Sequence, residues 1–113
     1  MTRADALQRA TDYFDSGELR QTLAHRVAFA TESQEPTQAP VMSAYLNEHM
    51  VPLLESLGFV CQIWPNPVAG GPPFLFAERT EPGAPFAVLS YGHGDVVRGY
   101  AAQWHAGLQP WTM

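Results

Sequence analysis

His93 and Asp95 stand two residues apart in Ser90-Tyr91-Gly92-His93-Gly94-Asp95-Val96-Val97, directly after the apolar run Phe86-Ala87-Val88-Leu89. An imidazole binds a metal ion through one ring nitrogen, and a carboxylate can hold the other nitrogen and so fix the tautomer. In extended chain, residues i and i+2 project to the same face, so the two side chains can meet without long-range help. A catalytic zinc takes three or four protein ligands, so this pair is one corner of such a centre. The other histidines do not complete it. His25 and His49 fall on helical segments and read as structural, and His105 reads as exposed.

Other chemistries find less support. Gly70-Gly71-Pro72-Pro73 is glycine-rich, but no Gly-Lys-Ser/Thr or Gly-x-Gly-x-x-Gly accompanies it, which argues against a phosphate cradle. No Gly-x-Ser-x-Gly elbow is present, and Ser90 has no base at useful spacing. Glu32 and Glu35 read as capping and solvated groups rather than an acid–base pair. Cys61, the single cysteine, excludes an intrachain disulfide and a cysteine-based zinc cluster, and its apolar setting predicts an inert buried thiol. Trp104 and Trp111 are expected to pack the C-terminal segment onto the domain.

The elements that must position these groups change character along the chain. Leu7, Ala10 and Phe14 predict a first helix ended by Asp15-Ser16-Gly17, and Leu19, Leu23, Val27 and Ala30 predict a second. A polar connection from Thr31 leads to a third helix over 40–57, opened by Pro40, interrupted at Pro52 and stopped by Gly58. Short strands are then predicted over 59–64, 73–79 and 86–91, with turns at Pro65-Asn66-Pro67 and Glu81-Pro82-Gly83-Ala84. The residues from Gly94 onward have no clear period and read as an extended loop. Helices followed by strands predict an α/β unit, 1–113 as one domain, with N-terminal helices packed on a partial sheet. The ligand is then expected at the carboxyl end of a strand, where open α/β folds place chemistry.

Composition narrows the class. Of 113 residues, 46% are hydrophobic and 15% charged, as in globular rather than disordered chains. Six basic and eleven acidic side chains give a formal net charge of −5 without runs, and lysine is absent, which excludes a nucleic-acid footprint. There is no apolar signal region and no membrane-length apolar segment, so a cytoplasmic protein is the expectation.

The stretch from Val88 to Val97, followed by Trp104, Gly107-Leu108 and Pro110-Trp111, resembles the first metal motif of a zinc metallopeptidase family. That family includes acetylornithine deacetylase, succinyl-diaminopimelate desuccinylase, aminoacylase, carnosinase and glutamate carboxypeptidase. The Thr31-Glu32-Ser33 turn after the helix pair and the Leu57-Gly58-Phe59 helix end fit the same pattern. The resemblance spans nearly the whole chain, although only residues 91–111 are specific. It implies that His93 is the first zinc ligand and that Asp95 is the catalytic-site carboxylate bracing it. It also implies a two-zinc amide or peptide hydrolase, able to use other divalent metals such as cobalt, acting as a carboxypeptidase or deacylase on peptides or N-acyl amino acids. The family's bridging aspartate, its glutamate pair, its last ligands and its lid or dimerisation domain have no counterpart here. The expectation is therefore an N-terminal part of an incomplete catalytic domain, inactive alone and prone to self-association through an open sheet edge or its helices. The alternative expectation is a non-catalytic α/β binding or interaction module; a relative keeping the fold without the metal is a third.

Overall fold

The computed structural model describes residues 2–113, which form two compact units, residues 2–29 with 100–113 and residues 30–99. The first unit contains α1 (Arg3–Asp15), α2 (Glu18–Val27) and a 3-10 turn, Ala101–Gln103. A reciprocal cap starts α1: the Asp5 N–H donates to Thr2 Oγ1 (3.2 Å) and the Thr2 N–H to Asp5 Oδ2 (2.7 Å). Gly17, at φ 82°, makes the left-handed corner between the helices, a conformation that costs glycine little. The two helices pack together, and the Tyr13 hydroxyl lies 2.7 Å from Thr22 Oγ1. Neither helix buries a residue fully, and Phe14 is 68% exposed.

The second unit holds the third predicted helix, in three consecutive pieces: α3 (Ala39–Ala44), a π-helical turn (Tyr45–Met50) and α4 (Val51–Ser56). The interruption expected at Pro52 lies just before it, as this π turn. Proline cannot donate to the carbonyl four residues back, and a π turn accommodates the lost bond by widening the helix. The helix stop is as expected. Gly58 takes φ 84°, its N–H donates to the Glu55 carbonyl (2.9 Å), and Phe59 N–H donates to Leu54 (3.1 Å). Arg79 seals this end by donating from Nη1 to the Leu57 carbonyl at 2.6 Å, and it also pairs with Glu81.

The sheet consists of β1 (Val60–Trp64) and β2 (Phe74–Glu78), antiparallel, in register from Val60 opposite Glu78 to Trp64 opposite Phe74. α4 packs against β1. Cys61, Ile63, Leu75 and Ala77 are half-buried, so Cys61 is not the fully buried thiol expected; its partial burial still raises the thiol pKa, helped by Glu55. The opposite face leaves Val60, Trp64, Phe74 and Phe76 exposed, with the Trp64 and Phe76 rings 6.1 Å apart. Asn66 organises the connecting loop by donating to the Pro72 carbonyl and accepting from the Val68 N–H, both at 2.9 Å.

The third predicted strand does not form. Residues 86–91 lie outside any strand, and Phe86, Val88, Leu89 and Tyr91 are 74–93% exposed. An apolar run becomes a strand only against a partner, and both strands of the hairpin leave their outer edges unpaired. The buried residues are few: Met42 is the only buried hydrophobic side chain among the described residues, joined by Thr31 and His49. The fold is mixed α/β.

Candidate metal-ligand site

His93 does not follow a strand, as the sequence suggested, but sits in irregular chain that another segment holds in place. Residues 31–33 run beside residues 95–97 as a short parallel bridge centred on Glu32 and Val96. Val96 N–H donates to the Thr31 carbonyl (2.9 Å), and Ser33 N–H donates to the Val96 carbonyl (3.2 Å). Thr31 is 4% exposed, and its hydroxyl donates to the Gly94 carbonyl at 2.7 Å. Glu32 reaches further along, accepting the Gly99 N–H at 2.6 Å, and Arg98 donates to the Gln34 carbonyl at 3.3 Å. The Thr-Glu-Ser turn noted in the sequence is thus the support of the histidine loop.

On this support His93 Nδ1 lies 3.0 Å from the Asp95 carbonyl and 3.2 Å from Asp95 Oδ1. Both oxygens are acceptors, so the neutral ring carries its proton on Nδ1 and leaves the Nε2 lone pair free. The His93 side chain is 71% exposed, so that lone pair is open to a ligand. Asp95 is held in its charged form. The Ser33 side chain lowers its pKa most; partial burial opposes this, and its own N–H and the His93 ring add smaller lowering effects.

The two glycines flanking His93 differ. A Cβ on Gly94 would lie 2.5 Å from Tyr45 Cε1, so this glycine lets the π turn's aromatic ring close on the loop. A Cβ on Gly92 would meet nothing within 4 Å. Tyr45 also lies against buried His49, with ring centroids 5.8 Å apart, which gives His49 the structural place expected of it. His25 meets the edge of Phe29 at 5.7 Å, and His105 is exposed. Glu32 and Glu35 form no acid–base pair: Glu32 caps the Gly99 amide and Glu35 lies near Thr37 Oγ1.

Among the described residues no group of three or more His, Cys, Asp or Glu side chains could hold a metal ion. The donor set that His93 and Asp95 provide fits one corner of a zinc centre: a single imidazole with its outer nitrogen open and its inner nitrogen held. No helix among the described residues is long and apolar enough to cross a membrane. No family model, curated protein or solved structure matches the chain.

Proposed function

We propose that these residues belong to the N-terminal part of a zinc-dependent hydrolase of amide or peptide bonds, in which His93 supplies one metal ligand and Asp95 braces it. The observation that carries this reading is the His93–Asp95 contact, which commits Nδ1 to the acid and leaves Nε2 as the donor. Zinc at such a centre lowers the pKa of a bound water and polarises the scissile carbonyl. The part of the present residues is narrower: Asp95 keeps the imidazole oriented and electron-rich, and the reading requires further ligands and a base beyond this pair. The chain alone therefore binds zinc weakly and turns over no peptide.

The test uses the exposed imidazole of His105 as an internal reference. In a zinc titration followed by the ring signals of each histidine, His93 responds at concentrations about tenfold or more below those that move His105, the range a bracing carboxylate is worth. If His105 responds first or at the same concentration, the ligand assignment falls. Tight stoichiometric binding, or peptidase activity, would overturn the account of the chain as one corner of a centre.

A second reading, an interaction module without catalysis, draws support from the surface. Phe86, Val88, Leu89 and Tyr91 form an apolar run left 74–93% exposed, a surface of the kind that marks an interaction site. In either reading the isolated chain self-associates. Light scattering at high concentration is expected to give a mass that is a multiple of 12.4 kDa; a clean monomer would contradict this.

A further inference from the structure

We infer that Thr31 is a positioning residue for His93, fixing the peptide planes on both sides of Asp95 and thereby the direction in which the imidazole presents Nε2. The inference rests on the ligand assignment for its meaning, but its geometry is independent of any metal.

Three contacts carry it. The Thr31 hydroxyl donates to the Gly94 carbonyl at 2.7 Å, and that carbonyl belongs to the peptide entering Asp95. The Thr31 carbonyl accepts the Val96 N–H at 2.9 Å, and that N–H belongs to the peptide leaving Asp95. The carbonyl of this second peptide is Asp95 O, the same oxygen that lies 3.0 Å from His93 Nδ1. One buried residue therefore grips the chain before and after the acid, and the oxygen facing the imidazole is part of what it grips. Glycine has the widest backbone freedom of any residue, so Gly94 transmits no orientation of its own between His93 and Asp95. The hydroxyl of Thr31 removes that freedom. Val96 is held from both sides of the bridge, because its own carbonyl accepts the Ser33 N–H.

A merely space-filling role predicts something different from a positioning role. Valine has nearly the shape of threonine but lacks the hydroxyl, which would leave the Gly94 carbonyl without its buried donor. Serine keeps the hydroxyl and loses a methyl group. If Thr31 only fills space, Thr31→Val is silent and Thr31→Ser is the damaging change. If it positions the loop, the order is reversed.

The experiment is long-range proton–nitrogen NMR of the His93 ring in the metal-free full chain, recorded at an alkaline pH at which the ring's own nitrogen shifts show it to be neutral. The wild type is expected to show the proton on Nδ1. Thr31→Val is expected to lose that tautomer preference, and Thr31→Ser to retain it. Two results overturn the inference: a wild-type ring protonated on Nε2, or a Thr31→Val ring whose nitrogen shifts match those of the wild type. The first is read without any variant and so stands even if Thr31→Val does not fold. A zinc titration of the same wild-type sample separates the two ideas. An Nδ1–H ring that zinc does not perturb ahead of His105 sinks the ligand assignment while leaving the positioning role intact.

Discussion

Gly94→Ala is expected to destabilise the unit formed by residues 30–99 by about 1–3 kcal/mol, the usual cost of forcing extra volume into a closed contact. The added Cβ would stand 2.5 Å from Tyr45 Cε1 and 3.2 Å from Cδ1, so either the ring or the loop must move. The ring has little room to swing, because it also contacts buried His49 on the same π turn, with centroids 5.8 Å apart. The loop therefore gives way, and moving it strains the Thr31 hydroxyl bond to the Gly94 carbonyl. Urea midpoints would measure the loss. Gly92→Ala is the control: its Cβ meets nothing, and the change is expected to stay within about 0.5 kcal/mol. The cause is isolated in a Tyr45→Ala background, where Gly94→Ala should cost much less because the clashing atoms are gone. An equal cost in both backgrounds would show that the Tyr45 contact is not the reason for this glycine.

Asp95→Asn is expected to raise the zinc concentration at which the His93 ring responds by about 10–100-fold. The substitution keeps the shape and removes the charge, so it separates the carboxylate from the backbone carbonyl that also faces Nδ1. An unchanged response would assign the bracing to the carbonyl alone. The same carboxylate predicts a pH dependence. Its pKa in the folded chain lies below the ordinary aspartate value, chiefly through the Ser33 side chain. The stabilisation it provides is therefore present above the unfolded value of ~3.9 and is lost as pH falls through the lower folded value. Asp5 behaves in the same direction, its pKa lowered first by the Thr2 N–H and then by the Thr2 hydroxyl. Asp95→Asn should thus reduce, without abolishing, the gain in stability as pH rises through the acidic range. The group is partly exposed, so this contribution is small.

The helices and the hairpin were legible because their signals are local. Apolar spacing placed α1 and α2, Gly58 ended the third helix, and short β-like runs gave β1 and β2. The π turn was only half legible, since Pro52 announces a disturbance without saying how the preceding carbonyls will be rearranged. The run at 86–91 has the same composition as a strand, but pairing is a property of the neighbour and not of the run. At the site, the spacing of His93 and Asp95 foretold that they could meet. The second acceptor on the ring, the Asp95 carbonyl, follows from backbone direction and has no residue-type signature. Nor does the role of Thr31, whose contact partner lies 63 positions away and whose neighbours suggested only a turn.

The parallel bridge between 31–33 and 95–97 has a kinetic consequence. Helical turns and a hairpin close short loops and form within microseconds, whereas joining segments some sixty residues apart must first overcome a larger loss of chain freedom. The imidazole acquires its bearing only after the scaffold has already assembled. In reverse, a fluctuation that parts those two segments would disarm the pair while the helix and hairpin stay folded.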